Sequence, residues 1–439
     1  MRGALAVFVA GIVAFAAACA RADDASAPAP ELPARSAVMP EAGVDTLPSG
    51  DPRRPELLLD LALLRHREAD ALEREERRAH AEAVASWREA QRAGDGGVPS
   101  APPPLATPRA DAQRAEAVRL AQRALDEAPE FAAAPQALLV AGIDSERIGR
   151  RKEAARMLGA LVRGFPASPH AAEAWLALGE HHLRERDLTS ARAAFQSAAR
   201  SGSSAVRAWS EARLAEVAIA ANDGEGALDA LGRALAARSA RGLAVLDRLA
   251  AAPEALAADR DALASLADLC ERSGDLTSAL ALRARLAGQA RRGSEAKPRR
   301  EEPRGRGASL AARGPDGVPG DARLRASAKP APADRRSELR LEAFAGDGSA
   351  IHALGLAALD AGRAAEARAL FERALASGVS GEELAPLQND LGVALFAVGD
   401  RVAARVEVTR AAEQDPGLAA AHDNLRALAP SSEMASPAP

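Results

Sequence analysis

The feature that most constrains the fold is a pattern of small and large residues that returns after 37 residues near the end of the chain. In its first copy, Leu354-Gly355 lies in one predicted helix, Gly362 in a turn, and Ala367 and Phe371 in the next helix. The second copy has Leu391, Gly392, Gly399, Ala404 and Val408. Repetition at this spacing is typical of solenoids, in which each unit is one pair of helices.

These residue types fit two antiparallel helices that cross closely. Gly355 has no side chain, so the second helix can approach the first, and Ala367 opposite must also be small. Gly362 allows the left-handed conformation that ends a helix. Phe371 is expected to fill the space between neighbouring units. Hydrophobic residues make up 48% of the chain but aromatic residues only 3%, which suits packed helices better than a sheet.

The same plan is found upstream in residues 135–168, 172–205, 208–241 and 260–290. Across all copies, the residues predicted to pack the repeats are Gly142, Ala154, Gly179, Ala191, Phe195, Ala227, Ala279, Gly355, Ala367, Phe371, Gly392 and Ala404. The fold prediction is therefore all-α: a solenoid of antiparallel helix pairs, in two arrays joined by a disordered linker. The pattern resembles the tetratricopeptide repeat, whose unit is about 34 residues. A Sel1-type or other helical repeat is the alternative.

This resemblance implies a groove, lined mainly by the first helix of each pair, that binds other proteins. The predicted groove residues are Leu139, Ile143, Leu176, Glu180, Arg184, Glu216, His352, Leu356, Asn389, Val393 and Phe396. Some tetratricopeptide co-chaperones hold a C-terminal carboxylate with Lys and Asn side chains. Here the corresponding places carry His352 and Leu356, so that ligand class is disfavoured.

The N-terminus is typical of an export signal, with Arg2 followed by an apolar run from Ala4 to Ala18. Two cleavage readings stay open. One is a lipoprotein signal over residues 1–18 with a lipid on Cys19, although Ala16 stands where Leu is usual. The other is ordinary cleavage after a small residue, and a retained membrane anchor is a third alternative. Localisation is expected to be the periplasm, with anchoring to the outer membrane if Cys19 is lipidated.

Breaks in apolar periodicity divide the rest of the chain. The predicted segments are an Ala/Pro tether at 19–52, a long helix or helical hairpin at 53–93, a Pro/Gly linker at 94–110, a first array at 111–290, a basic disordered linker at 291–336, a second array with a capping helix at 337–428, and a disordered tail at 429–439. The linker holds 13 basic and 6 acidic side chains. This layout resembles envelope tetratricopeptide lipoproteins of GC-rich, myxobacteria-like bacteria.

No motif for catalysis, phosphate binding or redox chemistry is found in the sequence. His181 and His182 are adjacent, so on a helix they point about 100° apart and do not chelate one ion together. Cys270, among apolar neighbours, is expected to be a buried core residue. We therefore expect no enzyme activity, no cofactor and no metal. A net charge of −4 and few aromatic residues argue against nucleic acid as a partner.

The function predicted from these features is a non-catalytic scaffold of the bacterial cell envelope that binds partner peptides or helices. Two alternatives stay open: a self-assembling structural envelope protein, and an accessory subunit of an envelope enzyme. The identity of the partner is not encoded in any motif of the chain.

Overall fold

A computed structural model describes residues 41–48, 50–93, 99–256, 260–295 and 324–429, and all the regular structure in these ranges is helical. The α-helices are α1 (Glu41–Asp45), α2 (Arg53–Ala93), α3 (Pro108–Glu127), α4 (Ala134–Arg147), α5 (Arg151–Gly164), α6 (Ala171–Arg184), α7 (Leu188–Ser201), α8 (Ser204–Ala220), α9 (Gly224–Ala236), α10 (Ala240–Ala251), α11 (Arg260–Arg272), α12 (Leu276–Glu295), α13 (Arg336–Phe344), α14 (Gly348–Asp360), α15 (Ala364–Ala376), α16 (Leu384–Ala397), α17 (Arg401–Gln414) and α18 (Ala419–Ala427). Short 3₁₀ turns lie at Pro253–Leu256, Ala333–Arg335 and Gly381–Glu383.

These residues form two compact units that divide between Ala221 and Asn222. We call them the N-terminal unit, which holds α1–α8, and the C-terminal unit, which holds α9–α18. The division falls inside the segment 111–290, which the sequence indicated as one array. Within its own unit, α9 packs against α10, α11 and α13.

In the N-terminal unit, α2 has 41 residues, which makes it the longest of the described helices. Its first half is apolar, and Leu58, Leu61 and Ala62 are buried in a core shared with α3 and α4. Its second half is mostly exposed. The Pro-rich segment 99–107 runs back along this half, because Trp87 and Gln91 both donate to the carbonyl of Pro99 at 2.8 Å.

In these helix pairs, a large side chain of the second helix packs directly against a glycine of the first helix. Phe371 of α15 lies over Gly355 of α14, and Phe195 of α7 lies over Gly179 of α6, with both phenylalanines fully buried. A methyl group added at Gly179 would lie 2.5 Å from the Phe195 ring. The glycines therefore allow the close crossing that the sequence predicted, and the Phe contacts the glycine of its own pair. All twelve predicted repeat-packing residues are buried.

The turns within pairs end one helix and start the next. Gly399 has φ +93°, a left-handed conformation that suits glycine and ends α16. Asp400 follows and accepts a hydrogen bond from the backbone N–H of Ala403 at 3.0 Å, which caps the N-terminus of α17. Asp187 caps α7 in the same way through Ser190.

The segment before α13 differs from the sequence prediction. Residues 291–336 were expected to be a disordered linker, and 296–323 of that range lie outside the described residues. Residues 324–332 are irregular in backbone but lie on the helices of the C-terminal unit. We call residues 324–332 the strap. Periodicity could not reveal it, because it is held through its main chain rather than by an apolar face.

Candidate functional site

The strap lies on a face formed by α14, α16 and α18, which we call the strap groove. One position recurs on these three helices, at the spacing of the repeat, and it carries His352, Asn389 and Asn424. In the N-terminal unit, Leu139 and Leu176 stand at the corresponding position, and both side chains are buried. The C-terminal unit therefore has polar groups where the N-terminal unit has core leucines.

Asn424 binds the main chain of the strap through both the oxygen and the nitrogen of its side-chain amide. Its Oδ1 accepts from the backbone N–H of Arg325 at 2.8 Å, and its Nδ2 donates to the Arg325 carbonyl at 2.9 Å. An amide that pairs with one residue in this way replaces the partner a β-strand would supply. Asn424 therefore recognises an exposed backbone, with no dependence on the Arg325 side chain.

Asn389 and Asp390 hold the next part of the strap. Asn389 Nδ2 donates to Ser327 Oγ at 2.8 Å and to the Arg325 carbonyl at 3.2 Å. Asp390 Oδ1 accepts from the backbone N–H of Ser327 at 2.6 Å. The other carboxylate oxygen of Asp390 lies 2.8 Å from His352 Nε2, which fixes the orientation of the carboxylate. Four side chains thus position one short stretch of chain.

The polar side chains that hold the strap are buried, so the loss of their hydrogen bonds would cost free energy. Asn389 and Asp390 are fully buried, and Asn424 is 1% exposed. Buried amides and carboxylates need hydrogen-bond partners, since an unpaired one costs about 1–3 kcal/mol. The strap supplies those partners through the backbone of Arg325 and Ser327. The arrangement is therefore built to hold a length of non-helical peptide.

The side chains of the strap divide into two sets. Ala326 and Ala331 pack against the apolar core of the C-terminal unit, while Arg325 and Lys329 are exposed. The groove therefore accepts small residues at the inward positions and places no contact on the charged ones.

The predicted groove residues of the C-terminal unit divide into residues that hold the strap and residues that pack in the core. Asn389 contacts the strap and His352 acts on it through Asp390. Leu356 and Val393 are buried, and Phe396 is half-buried against the same core. The prediction placed these apolar residues in an open groove, but their helices pack them inwards. Asp390 and Asn424 were missed, although Asn424 follows Asn389 by 35 residues.

In the N-terminal unit, the first helices are joined by a series of ion pairs, which we call the charge ladder. Asp70 on α2 pairs with Arg147 on α4 at 2.5 Å, and Glu146 on α4 pairs with Arg184 on α6 at 2.5 Å. Glu180 on α6 in turn pairs with Arg213 on α8. Nearby carboxylates hold the pKa of Arg213 above its usual value, despite its burial. Each of these ion pairs joins an acidic side chain on one first helix to a basic side chain on the first helix of the following helix pair.

The predicted groove residues of this unit divide between the ladder and the core. Glu180 and Arg184 are members of the ladder, and Glu216 is buried beside Arg213 at 2.8 Å. The remaining three are apolar: Leu139 and Leu176 are buried, and Ile143 is half-buried. Leu139 and Leu176 were predicted to line the groove, and here the structure differs because they fill the interior between helices. Binding by any of these residues stays a prediction.

The structure also describes His181, His182 and Cys270, which the sequence analysis considered as possible metal or thiol sites. The rings of His181 and His182 lie edge to face at 5.5 Å, and His181 Nδ1 lies 3.2 Å from Glu146. Within the described ranges, no three His, Cys, Asp or Glu side chains come together as a metal site would require. Burial raises the pKa of the Cys270 thiol to about 12.

The predicted export signal and Cys19 lie outside the described residues. Among the helices that the structure does describe, none has the length and apolar character needed to cross a bilayer.

Helix pairs that repeat along the chain, four of them crossing at a glycine (Gly142, Gly179, Gly355 and Gly392), define a helical-repeat protein. The tetratricopeptide repeat family model matches residues 139–206, in the N-terminal unit, and residues 352–419, in the C-terminal unit. These two segments are therefore tetratricopeptide repeats, and repeats of this kind generally mediate protein–protein interaction. The second match includes α14 from His352 onwards, all of α16, and the polar positions His352 and Asn389 of the strap groove.

Solved structures similar to this chain include two proteins. One is a tetratricopeptide repeat protein from Parabacteroides merdae, with a TM-score of 0.27 and 10% identity, over 80% of this chain and 99% of that one. The other is the APC/C hetero-tetramer Cut9-Hcn1, with a TM-score of 0.25 and 13% identity, over 89% of this chain and 59% of that one. Likenesses at these TM-scores carry no functional inference. No curated protein matches the chain.

Proposed function

We propose that this protein is a non-catalytic scaffold of the bacterial cell envelope that binds extended segments of partner proteins in the strap groove. The observation that carries the proposal is the capture of the strap through its main chain by Asn424, Asn389 and Asp390. A surface that recognises backbone amides and carbonyls fits any extended peptide whose inward side chains are small. Tetratricopeptide repeats as a class support the interaction role.

The charge ladder argues for the C-terminal unit as the main binding region. Charges on the first helices of the N-terminal unit already have partners in neighbouring helices, such as Glu146 with Arg184. A ligand that bound there would need to break these pairs and leave charges without partners, whereas a peptide that took the place of the strap would remake the same hydrogen bonds to Asn389 and Asn424.

The envelope location rests on the N-terminal sequence, in which an apolar run from Ala4 to Ala18 is followed by Cys19. A lipid on Cys19 would tether the scaffold to a membrane, as in the envelope lipoproteins that the layout resembles. Labelling with radioactive palmitate tests this part. We expect label in the native protein and none in Cys19→Ser, and an unlabelled native protein in a fractionated periplasm would place it as a soluble one.

The partner-binding claim is tested by photo-crosslinking from the groove. Benzoylphenylalanine in place of Phe396, a half-buried aromatic residue on α16, adds a benzoyl group to the ring already present, and the matched control carries it at the exposed Ala369 on α15. We expect a discrete crosslinked partner from residue 396 only. The crosslink should disappear when Asn389→Ala and Asn424→Ala are added, because both amides contact the bound chain. Equal crosslinking from both positions would count against the groove.

A second candidate is self-association through α17. Val402 is 79% exposed and Val406 is 43% exposed, on the same face of this helix. Sedimentation velocity over a concentration series tests it, with Val402→Glu as the comparison. A protein that is monomeric at every concentration excludes this role.

A further inference from the structure

We infer that the strap is an internal ligand which closes the groove, so that a partner binds only by displacing it, and that the displacing segment shares the strap's chemistry. That chemistry is an irregular or extended chain with small side chains at the places of Ala326 and Ser327. The inference rests on the proposed function and adds its regulation and the class of segment recognised.

The strap is held mainly through its backbone. Its main hydrogen bonds use the backbone of Arg325 and Ser327, together with the Ser327 hydroxyl, which donates to the Pro386 carbonyl at 3.3 Å. Another chain can reproduce backbone contacts whatever its sequence. Apart from the contacts of Asn389 and the Pro386 carbonyl with the Ser327 hydroxyl, the groove therefore has no polar feature that reserves it for this one segment.

The two alanines of the strap that flank Ser327 differ in exposure. Ala326 is half-buried against the core, and Ala328, two residues further on, is exposed. A larger or charged group at residue 326 would overlap the core or bury a charge, while the same group at 328 would face solvent. Small size at the position of Ala326 is thus the specificity that the groove can impose.

The strap and a free partner segment would compete for the same groove. The strap is covalently joined to α13 through Pro332 and the turn Ala333–Arg335. A ligand tethered this closely has an effective concentration in the millimolar range, so a free segment of equal contacts competes poorly. Weakening the strap should therefore raise the affinity for a free peptide without any change to the groove.

The sequence of the strap is not confined to that site. Ala-Ser followed within two residues by Pro-Ala-Pro occurs at residues 326–332, and close variants occur at 25–30 and at 435–439. Segments of this composition are thus available on the chain itself, in addition to those of partners.

The test uses the full chain and a fluorescent peptide with the sequence of residues 324–333, followed by anisotropy. The release variant is Ala326→Glu, and its matched control is Ala328→Glu, which adds the same charge two residues away. Ser327→Pro is a second release variant, because it removes the N–H that Asp390 accepts. Circular dichroism checks that helix content is unchanged in each.

We expect Ala326→Glu and Ser327→Pro to bind the peptide at least about tenfold more tightly than the native chain. Ala328→Glu should match the native chain, and a peptide with Glu in place of Ala326 should not bind. Asn389→Ala with Asn424→Ala, added to the release variant, should abolish binding.

Two results would overturn the inference in different ways. In the first, the native chain and Ala326→Glu bind the peptide equally tightly, and Asn389→Ala with Asn424→Ala abolishes peptide binding. The groove then binds peptides, but the strap does not close the groove. If the release variants bind no peptide at all, the proposed function of the groove fails as well.

Discussion

Gly179 and Phe195 allow the packing of the helix pairs to be tested by a double-mutant cycle. Phe195 is fully buried, and a Cβ at residue 179 would overlap its ring. Gly179→Ala alone should gain about 1 kcal/mol of helix propensity but lose roughly 1–3 kcal/mol to overpacking. Phe195→Ala alone should lose about 3–5 kcal/mol through the cavity it leaves.

The double variant distinguishes overlap from other effects. With the Phe195 ring removed, the added methyl at residue 179 has room, so only the gain in helix propensity is left. Gly179→Ala should therefore stabilise the Phe195→Ala background by about 1 kcal/mol, although it destabilises the native protein. The coupling energy should fall within about 1–3 kcal/mol, the usual range for residues in contact.

Guanidinium unfolding followed by tryptophan fluorescence is a suitable assay. The three tryptophans, Trp87, Trp175 and Trp209, all lie in the N-terminal unit with Gly179 and Phe195, so the signal reports this unit alone. The reasoning is refuted if Gly179→Ala changes the free energy of unfolding by the same amount in both backgrounds.

Two further predictions concern buried ionisable groups. Arg114 is 2% exposed and lies 3.8 Å from the fully buried Asp144, so Arg114→Ala should cost about 3–5 kcal/mol in the same fluorescence assay. Arg119 pairs with Glu116 and its side chain is 47% exposed, so Arg119→Ala should change the free energy of unfolding by less than about 1 kcal/mol. Equal losses of stability in Arg114→Ala and Arg119→Ala would contradict the ion-pair account. In a Cys19→Ser chain, ultraviolet absorbance of the thiolate reports the ionisation of Cys270 without a reagent having to reach the buried sulfur. The raised pKa, about 12, keeps the thiol protonated from pH 7 to 10, so a thiolate titration centred near pH 9 in the folded chain would contradict it.

The repeat architecture could be predicted because it depends on side-chain spacing. Gly355 and Phe371 are found where the 37-residue pattern placed them, since a close helix crossing requires those sizes. Assignment of groove residues was weaker. Leu139 and Leu176 occupy the position that carries Asn389 in the C-terminal unit, and an apolar residue there belongs to the interior.

The strap could not be predicted from periodicity, because the bonds that hold it use main-chain atoms that every residue has. A signal did exist on the receiving side. Asn389 and Asn424 are amides within apolar helices at the repeat spacing, and a buried amide needs a partner. The charge ladder could have been read in the same way, from Glu146 and Arg184, which are 38 residues apart.

Amide hydrogen exchange at Arg325 and Ser327 tests the central claim most directly. Their N–H groups donate to Asn424 and Asp390, so both should exchange far more slowly in the full chain than in a free peptide of residues 324–333. Asn424→Ala should remove the protection of Arg325, and Asp423→Ala, a change on the same helix in a residue that pairs with Arg426, should preserve it. Exchange of both amides at the free-peptide rate in the native chain would contradict a strap held in the groove.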